Sequence, residues 1–346
     1  MSTTQQQASN RPGLPRRRLG MTDMAITRVG FGAWAIGGTE WSTGGRPLDD
    51  DASVAAIRRA LDCGINWIDT APIYGLGHSE EVVRRALQGV PQGERPYVFT
   101  KCGIVWNEQD RSAPPRRAGS PESLRRELDE SLRRLDVERI DLYQMHRPAE
   151  DGTPLEEYWQ VMLDFKKAGK VRAVGLSNHS VEQLERAERI GHVDSLQPPF
   201  STIRRRAAAE IAWCFAHGTG VIVYSPMQAG LLTGTFSAER AQSLSRDDWR
   251  AQHPEFTGEA LRRNLTLAEA LRPIAARHDT TVAAVAVAWT LAWRGVSGSI
   301  VGARSAAQVD GWIDAASLEL SDADLWEIAA AIGRTGAGQG PELPSR

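Results

Sequence analysis

From residue 29 onward, short apolar runs alternate with longer segments whose apolar residues recur at helical spacing. The runs have the length of strands, and a predicted helix follows each of them. The predicted strands are 29–34, 65–69, 97–101, 140–146, 171–177, 195–197, 220–225 and 298–302. The predicted helices are 51–63, one from about 79, one from 120 carrying a leucine stripe, 156–168, 181–189, 206–217, two within 259–293, 306–315 and 322–332. Strands that alternate with helices predict a parallel sheet.

Local signals mark several of these boundaries. Ser120 followed by Pro121 is typical of a helix start, and Ser321 is a second predicted cap. Pro273 lies inside the 259–293 stretch and should kink or break it. Residues 16–28 are predicted to form either a short hairpin or a lead-in strand, with a turn at 21–23, and a long excursion is predicted over 226–258.

Eight strand–helix units are the number that closes a barrel. A doubly wound sheet would usually have a Gly-x-Gly-x-x-Gly turn after its first strand, and residues 34–38 do not match it. The sequence therefore predicts an α/β protein that forms one (β/α)8 TIM barrel domain over residues 13–335. Residues 1–12 are predicted to be a disordered tail and residues 336–346 a flexible, Gly/Pro-rich tail.

Composition narrows the functional classes. The formal net charge of −2 gives no basic field for nucleic acid. The three cysteines share no close spacing, which argues against a disulfide framework or a zinc site, and Cys102 is expected to be a buried filler. No apolar stretch is long enough for a membrane span, and the N-terminus does not resemble a signal peptide, so a cytoplasmic location is expected.

Protonatable side chains occur at the ends of three successive predicted strands. Asp69, Lys101 and His146 end strands two, three and four, and Tyr74 follows in the second loop. Taken singly, each has a structural alternative: a helix cap, a solvated strand end, a satisfied histidine or a core aromatic. Because active sites of such barrels lie at the carboxyl ends of the strands, the four together favour a catalytic site.

The chemistry of these groups suggests a mechanism. Tyr74 is the expected general acid, and a nearby ammonium on Lys101 should lower its pKa from about 10. Asp69 would keep Lys101 charged, and His146 would donate a hydrogen bond to a carbonyl oxygen. None of these side chains can supply a hydride, so a nicotinamide is required. No metal is predicted, because His146 has no second ligand at suitable spacing.

These segments resemble those of the aldo-keto reductases. Residues 66–75 (NWIDTAPIYG), 100–101 and 141–146 (DLYQMH) match the family's Asp, Tyr, Lys and His segments in order. Residues 175–178, Gln197 and 224–226 match its cofactor cleft, and the chain is most similar to a bacterial NADP-dependent branch that includes inositol-operon and general-stress reductases. The resemblance implies an NADP(H)-dependent oxidoreductase that reduces small aldehydes and ketones.

The resemblance also implies how the cofactor is held. Ser177, Asn178 and Gln197 would bind the carboxamide, and Tyr224 would stack on the nicotinamide ring. The start of a helix after strand eight is an expected anion site, where Arg304 would grip a phosphate and favour NADP(H). The implied cofactor contacts are Trp34, Asp69, Ser177, Asn178, Gln197, Tyr224, Ser225, Pro226, Met227, Gly230, Leu231, Gly302, Ala303, Arg304 and Gln308.

The chain departs from the family at the adenine side. The family often has Pro at 301 and Glu-Asn at 311–312, where this chain has Val301, Gly311 and Trp312. Trp312 could stack on adenine or pack as an ordinary core or surface residue. For the substrate, a small and fairly open pocket is expected. Its proposed wall residues are Trp34, Trp41, Tyr74, Trp106 and His146.

Two other functions stay open from the sequence. Channel-associated relatives keep the barrel and the cofactor but serve as regulatory subunits, so a binding module with little turnover is one alternative. A sugar or polyol dehydrogenase working oxidatively is another, because the same residues serve both directions. A monomer and a weak homo-oligomer fit equally well.

Overall fold

Eight parallel strands close into a barrel, as the alternating pattern predicts. The computed structural model describes residues 13–37 and 49–344. The strands are Val29–Gly32, Trp67–Asp69, Tyr97–Cys102, Ile140–Met145, Val171–Ser177, Ser195–Gln197, Gly220–Val223 and Val296–Gly302. They pair in their order along the chain, and the last pairs with the first to close the ring. The predicted bounds are met within two residues at every end.

The helices pack around the outside of this barrel. The α-helices are Asp50–Asp62, His78–Leu87, Pro121–Leu135, Leu155–Lys167, Val181–Glu188, Ala208–His217, Ala238–Gln242, Gly258–Ala270, Arg272–Arg277, Val282–Leu291, Ala306–Asp310 and Asp322–Thr335. Short 3-10 turns lie at Ala33–Ile36, Gln92–Glu94, Gln228–Gly230, Trp249–Gln252, Pro254–Phe256 and Ile313–Ala316. In the part of the chain that the structure describes, no helix combines the length and apolarity needed to cross a membrane.

The helix-boundary predictions hold with two exceptions. The Ser120 side chain accepts a hydrogen bond from Ser123 N, and Ser321 forms a capping box with Asp324. Pro273 lies in the first turn of Arg272–Arg277 and breaks the stretch, which forms three helices instead of two. The helix predicted at 306–315 ends at Asp310, because Gly311 follows and the next residue, Trp312, leaves helical geometry.

A small apolar core fills the lower half of the barrel interior, at the amino ends of the strands. The predicted hairpin, Arg16–Arg18 paired with Ala25–Thr27, packs against this end. The interior residues are Leu19, Met24, Ile26, Trp67, Phe99, Leu142, Ala173, Ile222 and Ile300. The hairpin therefore covers one end of the barrel and leaves the carboxyl ends of the strands for the site.

Trp67 is the largest of these interior side chains. It is fully buried, and its Nε1 donates to Thr27 O at 2.8 Å. A Cβ at Gly30 would lie 2.1 Å from Trp67 Cε2, and one at Gly298 would lie 2.9 Å from its Cζ2. These two glycines leave the space that the indole occupies.

The end of the chain packs against the barrel, where composition predicts a flexible tail. Gln339 N donates to Ile203 O at 3.2 Å, Arg205 N donates to Gln339 O at 3.0 Å, and Ala337 is 1% exposed. A Cβ at Gly338 would lie 1.8 Å from Ile203 O. Glycine here permits close packing of two backbones, and the flexibility of residues 336–346 stays a prediction. The predicted tail at 1–12 and Trp41 lie outside the described residues.

Candidate active site

The candidate catalytic residues lie above the apolar layer because side chains alternate along each strand. Trp67 and Phe99 point into the barrel, so Asp69 and Lys101, two residues further along, point the same way. His146 follows the fourth strand in the same register as Leu142. The strands thus place carboxylate, ammonium and imidazole at one mouth of the barrel, as predicted.

Lys101 and Asp69 form a buried ion pair. Lys101 Nζ lies 2.5 Å from Asp69 Oδ2 and donates to Thr70 O at 2.9 Å. Lys101 is fully buried and Asp69 is 3% exposed. Burial lowers the pKa of Lys101, and the Asp69 charge opposes that shift. The carboxylate therefore stabilises an ammonium that is shielded from solvent.

Two glutamines complete the bonding of this carboxylate. Gln197 Nε2 donates to Asp69 Oδ1 at 2.8 Å and to Gln144 Oε1 at 3.2 Å. Gln144 was not singled out from the sequence, and it is fully buried. The sequence pattern could have indicated Gln144, because a polar residue two positions after Leu142 in a buried strand must also face the barrel interior.

A tight turn presents Tyr74 to this pair. Gly75, Leu76 and Gly77 all have positive φ angles, of 65°, 53° and 101°. A Cβ at Gly75 would lie 1.4 Å from Gly37 O, so only glycine fits. The Tyr74 ring centroid lies 5.2 Å from Lys101 Nζ and 5.8 Å from the His146 ring. The four residues are therefore brought together around one small space.

The protonation of Tyr74 differs from the prediction. Although the ring keeps some surface open to the cleft, burial raises the pKa of the phenol well above its usual 10.0, and the Asp69 charge adds to the shift. The expected lowering by Lys101 is not seen, because Asp69 neutralises that ammonium at 2.5 Å. Tyr74 thus holds its proton at neutral pH, as a proton donor must.

His146 is neutral at physiological pH. Burial lowers the pKa of its imidazole well below 6.5, and the positive charges of Lys101 and Arg147 lower it further. A neutral imidazole keeps one N–H donor. It can therefore donate a hydrogen bond beside Tyr74 without competing as an acid.

The predicted carboxamide contacts lie together at the ends of strands five to seven. Tyr224 Oη donates to Asn178 Oδ1 at 2.7 Å, and Asn178 Nδ2 donates to Ser177 Oγ at 2.9 Å and to His146 O at 3.0 Å. Gln197, the remaining predicted contact, donates a hydrogen bond to Asp69. Their polar atoms are paired with one another, so a bound amide would exchange partners with groups already converging on the Tyr74 side.

The loop after strand seven is unusually strained. Ser225, Gln228, Ala229 and Gly230 have φ angles of 59°, 46°, 49° and 106°. Left-handed non-glycine residues cost free energy and cluster at ligand clamps. The predicted cofactor residues Ser225, Pro226, Met227, Gly230 and Leu231 lie in this segment. Its backbone therefore fits a loop that approaches a ligand closely.

The anion site expected after strand eight has less support from its helix than the sequence suggests. Arg304 is exposed, and its backbone N–H donates to Gln308 Oε1 at 2.8 Å. The helix that follows has only five residues, so the predicted helix-dipole contribution at Gly302 and Ala303 is small. Trp312 is 2% exposed and packs in the core, which leaves it no surface for adenine.

Two of the predicted pocket tryptophans flank the site. Trp34 is 38% exposed in the turn after strand one. Trp106 packs with Tyr74 and Ile104 in a small apolar cluster, and its buried Nε1 has no hydrogen-bond partner in the part of the chain described. Within those same residues, no group of three His, Cys, Asp or Glu could hold a metal ion.

Glu127 anchors the loop that carries Trp106. Its Oε2 accepts a hydrogen bond from Gly103 N at 2.8 Å, and its Oε1 accepts one from Ser123 Oγ at 3.0 Å. Burial raises the pKa of Glu127 to about 7. The adjacent Cys102 is 1% exposed and burial raises the pKa of its thiol, as expected of a filler.

Glu127→Gln should stabilise the protein at pH 8 relative to wild type more than at pH 5. Because the folded pKa exceeds the unfolded one, Glu127 favours folding below 4.5, and this contribution is lost as pH rises through about 7. The difference should grow by about 2–3 kcal/mol over that window. Urea unfolding at both pH values measures it, with the exposed Glu122→Gln as control. Equal differences at both pH values would contradict the assignment.

Comparison with known proteins assigns the class. The model of the Aldo/keto reductase family matches residues 28–332, so the chain belongs to this family of nicotinamide-dependent oxidoreductases. It is 35% identical over 330 residues to the NADH-specific methylglyoxal reductase of Escherichia coli, covering 91% of this chain and 98% of that protein. It is 33% identical to the aldo-keto reductase YhdN of Bacillus subtilis, covering 91% and 92%.

Solved structures agree on the fold. A glycerol dehydrogenase from Gluconobacter oxydans superposes with a TM-score of 0.85 at 34% identity, covering 96% of this chain and 99% of that one. An aldo-keto reductase from Bacillus halodurans gives 0.76 at 24% identity, covering 92% and 96%. The family and the barrel predicted from the sequence are thus confirmed.

Proposed function

We propose that this protein reduces small aldehydes and ketones to alcohols with NADP(H), and that Tyr74 is the general acid. The observation that carries the proposal is the fully buried Lys101–Asp69 pair placed beside Tyr74 and His146. A buried charge pair is expensive to keep, and perturbed ionisable groups at a barrel mouth are typical of catalysis.

The side chains have separate tasks. A bound nicotinamide would supply the hydride. His146, neutral, donates its N–H to the carbonyl oxygen and orients it. Tyr74 gives its proton to the same oxygen as negative charge develops there. Asp69 keeps Lys101 charged, with its Nζ 5.2 Å from the Tyr74 ring centroid. Burial and the Asp69 charge keep the phenol protonated until it gives up this proton.

The cofactor contacts are those implied by the family resemblance. Ser177, Asn178 and Gln197 would bind the carboxamide, and Tyr224 would face the ring. The strained segment from Ser225 to Leu231 would lie over the pyrophosphate. The convergence of these polar groups next to Tyr74 and the left-handed backbone after strand seven support this placement.

Arg304 is the proposed basis of NADP(H) use. Its exposed guanidinium at the end of strand eight suits the additional phosphate of NADP(H). We expect Arg304→Met to raise the KM for NADPH by about 10–100-fold and to change that for NADH little. Steady-state kinetics with both coenzymes measures this. Because the Escherichia coli relative is named NADH-specific, wild-type preference for NADH would overturn this part alone.

Small oxygenated molecules are the proposed substrates. One relative is named a methylglyoxal reductase and one structural relative a glycerol dehydrogenase. The second name favours an oxidative alternative, in which the same residues oxidise a small polyol. We further propose that the protein is bacterial, cytoplasmic, and a monomer or weak homo-oligomer.

A coenzyme assay tests the proposal. NADPH and NADH oxidation would be followed with methylglyoxal and 4-nitrobenzaldehyde, and NADP⁺ reduction with glycerol. We expect turnover of small carbonyl compounds. Turnover of steroids alone would overturn the small open pocket, and coenzyme binding without any turnover would favour a regulatory subunit.

A further inference from the structure

Three arginines act electrostatically on the candidate catalytic site. Arg147 and Arg117 add to the lowering of the His146 pKa by burial, and Arg147 and Arg204 oppose the rise in the pKa of Tyr224 that burial causes. Arg117 pairs with Glu150, and Arg204 pairs with Glu255 at 2.8 Å. Arg147 forms no ion pair or hydrogen bond within residues 13–37 and 49–344. It is therefore a guanidinium whose charge no described carboxylate neutralises.

The backbone fixes Arg147 at the mouth of the barrel. His146 N donates to Cys102 O at 2.9 Å, and His146 O accepts the Asn178 Nδ2 hydrogen bond at 3.0 Å. Pro148 follows and disfavours a helical conformation at Arg147, where the backbone bends. The side chain therefore starts one residue from the imidazole, on a segment that is held on both sides.

The charge of Arg147 reaches the reacting groups. Arg147 directly follows His146 and is partly buried, and its positive charge opposes the rise in the pKa of both Tyr74 and Tyr224. Lys101, at the same mouth, is already paired with Asp69, as Arg117 and Arg204 are with their glutamates. The space in front of Tyr74 is consequently left with an excess of positive charge.

We propose that Arg147 forms an anion subsite beside Tyr74 and His146, and that it selects carbonyl substrates that also carry a carboxylate. A planar guanidinium that is partly buried and lacks a protein carboxylate suits bidentate binding of one from a ligand. This inference rests on the proposed function, and it adds the class of substrate. Oxo acids and semialdehydes are the expected compounds.

The test compares aldehydes that carry a carboxylate with their uncharged methyl esters. The pairs are 4-carboxybenzaldehyde with its methyl ester, and succinic semialdehyde with its methyl ester. The measured quantity is the ratio of kcat/KM for the acid to that for the ester. We expect wild type to favour the acid, and Arg147→Met to lower the ratio by about 10–100-fold.

Two further variants separate binding from general charge effects. Arg147→Lys should recover part of the ratio, because it restores the charge without the planar fork. Arg116→Met removes the same charge from an exposed neighbouring position and should change the ratio by less than about threefold. A similar fall in Arg116→Met would overturn the proposal.

The remaining outcomes are also decisive. If wild type reduces the esters as well as the acids, the subsite is refuted and the reductase proposal stands. If nothing is reduced, the reductase proposal fails, and calorimetric binding of 4-carboxybenzyl alcohol to the protein with NADP⁺ tests the subsite directly. Weaker binding to Arg147→Met than to wild type would support it, and equal or absent binding would overturn it.

Discussion

Tyr74→Phe should lower kcat for carbonyl reduction by about 10²–10⁴-fold. The change removes only the phenolic O–H and keeps the ring that packs near His146 and Trp106. Coenzyme affinity and thermal stability should therefore stay close to wild type. Stopped-flow measurement of NADPH oxidation gives the rate, and protein fluorescence on titration with NADPH gives the affinity. A variant with near-normal kcat would exclude Tyr74 as the acid.

The pH dependence of wild type is a second readout on the same residue. Because burial raises the pKa of Tyr74 above 10.0, the phenol keeps its proton, and the reduction rate should not fall on the alkaline side before that pH. Alcohol oxidation needs the phenolate, so its rate should rise with pH over the same range. An alkaline fall of the reduction rate near pH 8 would show that Lys101 lowers this pKa, as the residues alone suggest.

Asp69→Ala should destabilise the fold by about 3–5 kcal/mol and also abolish most activity. The change leaves the Lys101 ammonium fully buried without its ion-pair partner, although its hydrogen bond to Thr70 O remains. The lysine would deprotonate or the barrel mouth would open. Urea unfolding, analysed as a two-state transition where the data allow it, measures the loss.

A double-mutant cycle provides the control for this pair. Lys101→Met alone leaves the Asp69 carboxylate buried, with hydrogen bonds from Gln197 and Gln144. Combining it with Asp69→Ala removes both charges, so the double variant should be more stable than the sum of the single losses predicts. Additive losses would contradict the buried pair as the source of the effect.

The parts of the fold that the sequence predicts well are those with strong local signals. The strand at Val171–Ser177 and the helix that begins after Ser120 match their predicted starts, because an apolar run and an N-cap followed by proline are local properties. The four catalytic candidates also follow from local rules. Strand ends in a closed barrel meet at one rim, so their approach could be predicted before their distances were known.

What the sequence does not predict depends on long-range contacts. The excursion over 226–258 has no clear periodicity, and its short helix Ala238–Gln242 and 3-10 turns depend on packing against the rest of the chain. The glycines near the C-terminus suggest flexibility, and their close approach to Ile203 is seen only in the structure. The pKa of Tyr74 depends on how strongly Asp69 neutralises Lys101, which are far apart in the sequence. Likewise, only the structure shows that no carboxylate of the described residues pairs with Arg147.

The apolar core at the amino ends of the strands has a consequence for how this sequence can evolve. Trp67 occupies the space that side chains at Gly30 and Gly298 would need, so neither glycine can mutate alone without displacing the indole. A smaller residue must first arise at position 67, and that step itself leaves a cavity that destabilises the protein. The three positions are therefore expected to be inherited together, and a library that randomises one glycine by itself should yield few folded members.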